Sequence, residues 1–154
     1  MDTTDLRKAY ESVVVEVVAG GFGAPPPGEW DAGRIVGHLA LNDDLLAAVT
    51  ADILAGRPVS FDNRTSLQPS PVDVSELRRS GARLCDLAER LTPDQAATVV
   101  PVFIQDGESV AVDRPMPWGV LIGIQASFHL PAHADQLRAL RPVHVVDGGL
   151  LPTV

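Results

Sequence analysis

The chain has 154 residues and a mass of 16.3 kDa, the size of one domain. Hydrophobic residues make up 45% and charged residues 21%, which excludes a disordered chain. Its net charge of −8 sets it against phosphate backbones and anionic membranes, so neither nucleic acid nor a membrane is expected as a partner.

The lone cysteine, Cys85, excludes an internal disulfide and every multi-cysteine zinc site. The polar N-terminus MDTTDLRKAY lacks the apolar stretch of a signal peptide, and no run is long enough to span a membrane. A cytoplasmic protein is expected, with residues 1–154 forming a single domain.

A first helix is predicted from about Thr4 to Ala19, with Leu6, Tyr10, Val13, Val14, Val17 and Val18 on one stripe. The glycine- and proline-rich run Gly20–Gly28 ends it. A second helix is predicted from Trp30 to Ala55, where Ile35, His38, Asn42, Leu45, Val49 and Ile53 recur at steps of three and four. Residues 57–72 read as a long loop, long enough to form a lid or a binding loop. A third helix, Asp73 to Leu91, opens with the capping-box spacing of Asp73 and Glu76. Its stripe runs through Val74, Leu77, Gly81, Leu84, Ala88 and Leu91. Cys85 sits beside Leu84 and reads as a buried structural thiol.

The period then changes. Ala97–Ile104 and Ser109–Val112 read as two short strands around an Asp106–Gly107 turn, with Pro101 limiting the first to an edge or a bulge. A fourth helix is predicted from Pro117 through Leu140, and Pro131 within it demands either a kink or a fresh start. The tail from Arg141 onward carries His144, which reads as a surface histidine. These elements predict an all-α fold, a four-helix bundle with a small β-hairpin inserted before the last helix.

Polar residues on apolar stripes are the informative ones, because burial without a partner costs about 1–3 kcal/mol. His38 and Asn42 lie one turn apart on the second helix, while Gln125, His129, His133 and Gln136 share the inward face of the fourth. An i, i+4 pair of histidines lies about 40° apart around a helix and roughly 6 Å apart along it. Two such imidazoles can converge on one ion, and His38 is the other histidine on a core stripe. Three neutral histidines with open coordination positions suit Zn²⁺, Ni²⁺ or another borderline divalent ion.

Two stretches carry a resemblance. Trp30-Asp31-Ala32-Gly33-Arg34-Ile35-Val36-Gly37-His38-Leu39 resembles the second-helix signature of the DinB-like superfamily, and His129-Leu130-Pro131-Ala132-His133-Ala134-Asp135-Gln136-Leu137 resembles its last-helix HxxxHxxQL. The chain is most similar to an actinobacterial branch related to the N-terminal domain of mycothiol-dependent maleylpyruvate isomerase. This resemblance implies a metal-binding four-helix bundle with zinc or nickel held by His38, His129 and His133. It also implies a homodimer and a low-molecular-weight thiol, such as mycothiol, as co-substrate of a transferase or isomerase acting on an electrophile.

On that reading Asn42 and Gln125 orient the ligands or the substrate, or else join two helices. Arg57 and Arg64 in the long loop are candidates to hold an anionic thiol or substrate, or are simply solvated. Metal-assisted hydrolysis is an alternative, but it needs a carboxylate base. Asp43, Asp44 and Asp135 read as solvated helix-surface charges. The remaining alternative is a non-enzymatic binding or dimerisation module with a structural or vestigial metal site.

Overall fold

The computed structural model describes residues 1–142, so His144 and the rest of the tail lie outside the described residues. Helix α1 (Thr4–Ala19) buries Leu6, Tyr10 and Val13, whereas Val18, assigned above to the same stripe, is 62% exposed. Helix α2 (Ala32–Leu54) starts where the Asp31 carboxylate accepts the Arg34 N–H at 2.8 Å, satisfying one of the orphan donors of the first turn. It is buried on far more than one stripe: Ile35 through Ala40, Asn42, Asp43, Leu46, Ala47, Val49, Thr50 and Ile53 are all inside. A helix packed on several sides has no wide solvent face, which is why a single-stripe reading is too narrow here.

The segment 57–72 is not a free lid. It carries a two-residue strand, β1 (Phe61–Asp62), and a 3₁₀ turn over Arg64–Leu67. Its return path lies flush on α2: a Cβ added at Gly37 would stand 2.0 Å from the Ser70 carbonyl oxygen. Only glycine permits that approach.

Helix α3 (Val74–Glu89) is capped by Asp73, which accepts the Ser75 and Glu76 N–H groups. The Glu76 side chain pairs with Arg79, so the reciprocal half of the expected capping box is missing. A complete capping box instead links Thr92 and Gln95 at the start of α4 (Pro93–Ala96), a short helix the sequence pattern did not signal.

Strands β2 (Val99–Asp106) and β3 (Ser109–Pro117) form the expected hairpin, but β1 adds to it, giving a three-stranded sheet of order β1-β2-β3. The fold is therefore mostly helical with a small mixed sheet, and not all-α with a hairpin alone. β1 runs parallel to β2, pairing Phe61 with Val102 and Asp62 with Phe103. Pro101 thus sits in the central strand, just before the stretch that β1 covers, and faces Pro115 across the hairpin. Neither proline has an N–H, so the pair occupies a rung that needs no hydrogen bond. The bulge lies further on, between Ile104 and Gln105.

The last helical stretch has three parts: α5 (Trp118–Ile124), one π turn over Gln125–His129, and α6 (Leu130–Ala139). Pro131 falls in the first turn of α6, directly after the π turn. The Leu130 N–H reaches back five residues to the Gln125 carbonyl, so the chain answers Pro131 by widening a turn rather than breaking. Trp118, Ile122, Leu130 and Leu137 from this stretch meet Ile35, Leu39 and Leu46 of α2, Leu77 and Leu84 of α3, and Val13 of α1 in one core. Helix α1 packs on α3 and α6, and α2 on α3. Among the described residues, no helix is long and apolar enough to cross a membrane.

Candidate metal centre

The fold brings His38, His129 and His133 together. One ligand nitrogen from each lies within 4.8 Å of the other two, and the ring centroids are 4.7–5.2 Å apart. Three nitrogens around a tetrahedral ion at about 2.0–2.1 Å would stand roughly 3.3 Å from one another. The trio is thus nearly assembled.

Each imidazole is oriented differently. His38 Nδ1 lies 2.7 Å from the Ser66 carbonyl oxygen, which can only accept, so Nδ1 carries the proton and Nε2 the lone pair. His133 Nδ1 lies 2.9 Å from Gln136 Oε1, which leaves its Nε2 free in the same way. His129 Nε2 sits 3.1 Å from His38 Nε2, and its own Nδ1 is buried with no hydrogen-bond partner. The Trp30 ring packs against His38 at 5.0 Å between centroids.

Burial holds all three imidazoles below their usual range. His38 is lowered despite its bond to Ser66, His133 falls to about 4, and His129 to about 3, the last two also pushed by neighbouring histidines. Asp106, at the β2–β3 turn, is the carboxylate whose charge opposes that depression at both His38 and His133. Neutral imidazoles with Nε2 atoms close together, two of them unprotonated there, and a His129 proton that an ion could displace fit a borderline divalent cation. They do not distinguish zinc from nickel.

Asn42 and Gln125 belong to a second buried cluster. Asn42 Nδ2 donates to Gln125 Oε1 at 3.2 Å, and Gln125 Nε2 donates to Asp43 Oδ1 at 3.1 Å. The Tyr10 hydroxyl also donates to Asp43 Oδ1, and Ser80 Oγ to Oδ2 at 3.1 Å. Asp43, expected to be solvated, is fully buried, and burial pushes its carboxyl up to about 8 despite these three donors. Tyr10 reaches it because α3 carries Gly81 there; a Cβ at that position would stand 2.8 Å from the Tyr10 ring. Neither Asn42 nor Gln125 hydrogen-bonds to a histidine of the trio, and their interhelical role is the one observed.

The loop arginines are held by neighbouring carboxylates. Arg57 donates to Asp52, and Arg64 to Asp62 while its guanidinium lies over the Phe103 ring at 5.0 Å. Asp44 pairs with Arg79 and Arg83, and Asp135 with Arg138, as exposed surface charges. Cys85 is 2% exposed and burial raises its thiol to about 11, which suits a packing role and not a nucleophile.

The orienting groups are what sequence reasoning missed. Gln136 carried a signal in its inward position, but the Ser66 carbonyl is backbone and carries none.

The chain matches no family model and no curated protein. Among solved structures it is similar to a crystal structure of the mycothiol-dependent maleylpyruvate isomerase, with a TM-score of 0.64 over 90% of this chain at 18% identity. At that identity the likeness is one of fold. The chain spans 60% of that structure's length.

Proposed function

We propose that the four long helical stretches form a DinB-like bundle that holds one divalent ion, zinc or nickel, on His38, His129 and His133. The protein then works as a thiol-dependent transferase or isomerase with a low-molecular-weight thiol such as mycothiol. The observation that carries this reading is the convergence of three imidazoles, His38 buried and His129 and His133 half-buried, with the Ser66 carbonyl and Gln136 leaving Nε2 of two of them unprotonated. Its support is the shared fold with a mycothiol-dependent isomerase.

Bound there, a divalent ion would lower the pKa of a thiol that reaches it. The residues of this chain do the rest. The Ser66 carbonyl and Gln136 keep two imidazoles in the tautomer that presents Nε2, and Trp30 covers one side of His38. Exposed Val15 and Val18 on α1 and Phe128 beside His129 supply apolar surface for the homodimer that accompanies this reading.

Metal content measured by elemental mass spectrometry tests the proposal. About one equivalent of zinc or nickel in wild type, lost in His129→Ala, is the expected result. Loaded protein should then consume a thiol only when an electrophile is present; turnover without thiol would favour the hydrolase. A wild type that takes up no metal after reconstitution would sink both and leave a binding or dimerisation module.

A further inference from the structure

We infer that Asn63 is a positioning residue for the histidine trio: its amide ties the end of strand β2 to the 3₁₀ turn whose Ser66 carbonyl fixes His38. This inference rests on the metal-site reading above.

The connection runs through bonds of ordinary length. β1 pairs with β2 over only two residues, and the Asn63 backbone N–H adds one more contact to the Phe103 carbonyl at 3.3 Å. The side chain then takes over from the backbone. Gln105 N–H donates to Asn63 Oδ1 at 2.8 Å, and Asn63 Nδ2 donates to the Gln105 carbonyl at 2.9 Å. A primary amide has a donor and an acceptor side by side, so it pairs with a backbone N–H and C=O as another peptide would. It does so at the bulge between Ile104 and Gln105, where the regular ladder to β3 is interrupted.

On its other side, the Asn63 carbonyl accepts both the Ser66 N–H at 2.9 Å and the Ser66 hydroxyl at 2.7 Å. Both bonds hold Ser66 from its N–H and side-chain ends, and its carbonyl oxygen lies 2.7 Å from His38 Nδ1. Ser66 is fully buried and Asn63 is 7% exposed, so water does not compete for these groups. The far end of the same segment is held at Gly37, where the Ser70 carbonyl lies against α2 one residue before His38. The segment is pinned at both ends, and its middle sets the tautomer of a ligand.

The test uses the whole chain and two readouts, one of them independent of metal. In metal-free wild type, nitrogen-15 NMR of the imidazoles should show His38 protonated at Nδ1. Asn63→Ala should give a mixture of the two neutral tautomers, and Ser66→Ala a smaller shift in the same direction. Zinc affinity, read by competition with a chelator, should fall roughly tenfold or more in Asn63→Ala. Thr50→Val serves as the control, because it removes the buried Trp118 Nε1 bond to Thr50 Oγ1 away from the trio. It should lower thermal stability while leaving zinc affinity and the His38 tautomer unchanged.

An unaltered His38 tautomer in both Asn63→Ala and Ser66→Ala would overturn the inference, as would a zinc affinity that falls equally in Thr50→Val. If Asn63→Ala does not fold, Ser66→Ala decides. Should wild type bind no zinc, the metal reading fails, and the tautomer measurement still judges whether Asn63 positions His38.

Discussion

Two buried polar clusters lie along the same pair of elements, α2 and the π turn with α6, and they are finished differently. Around Asp43 the bonding is closed: Tyr10, Ser80 and Gln125 all donate to one carboxyl, and Asn42 donates to Gln125. Around the histidines it is open: His38 and His129 share one Nε2–Nε2 hydrogen bond, while His129 Nδ1 is unpartnered and His133 bonds only through Nδ1. A closed network holds helices together, because each of its members would cost about 1–3 kcal/mol if left unpaired. An open one retains free bonding capacity at the expense of stability, and such capacity is what a ligand uses.

Breaking the closed cluster should have the largest effect on stability. Asp43→Ala leaves the buried Tyr10 hydroxyl and a Gln125 amide N–H without an acceptor, while Ser80 keeps the Leu77 carbonyl, and it opens a cavity, so unfolding free energy should drop by about 3 kcal/mol. Chemical denaturation checks this, and Asp43→Asn, which keeps the shape, should cost clearly less.

The next effect is the opposite pH response of the two clusters. The unfolded chain protonates its histidines near pH 6.5, whereas the metal-free fold holds His133 down to about 4 and His129 to about 3. Their contribution is therefore complete above pH 6.5 and lost as pH falls through about 4. Asp43 slopes the other way. Its carboxyl is raised from 3.8 to about 8, so its contribution is complete below 3.8 and lost as pH rises through 8. The two windows overlap below pH 6.5 and Asp43 acts alone above it, so urea midpoints of metal-free protein should fall between about pH 6.5 and 8, and Asp43→Asn should abolish that fall and steepen the rise below pH 6.5.

The smallest effect is expected where the open cluster is simply filled. His129→Leu removes an orphaned buried nitrogen, so metal-free stability should change by less than about 1 kcal/mol in either direction. A loss comparable to that of Asp43→Ala, measured by the same denaturation, would erase the distinction between the clusters.

The two clusters also differ in how far they could be read in advance. His38, His129 and His133 stood on apolar stripes at helical spacing, and the resemblance to a known metal-binding bundle pointed to the same residues. Asp43 was misplaced because α2 is buried nearly all round, so a position off the main stripe is still inside. Val18 erred in the opposite sense, apolar yet outside. The π turn was not legible, since it is a choice of hydrogen-bond partner and not of residue type; Pro131 marked only its neighbourhood. β1 is two residues long and paired to a distant strand, too short for any alternation to show. The Ser66 carbonyl, finally, is backbone, and no side-chain pattern announces where a carbonyl will point.

The separation along the chain between the partners of these clusters carries a consequence for the order of folding. Asp43 meets Tyr10 and Ser80, 33 and 37 residues away, before it needs Gln125, 82 away, whereas His38 and His129 are 91 apart and the trio has no nearer pair across helices. Closing the longer loop costs more entropy and must wait for the last helix to dock, so the trio is among the late contacts to form. Before that moment only the i, i+4 pair His129 and His133 can meet an ion, with two ligands and no anchoring carbonyl from Ser66. On the proposed function, tight metal capture would then require the docked last helix, and its onset during refolding would time the arrival of α6 against α2.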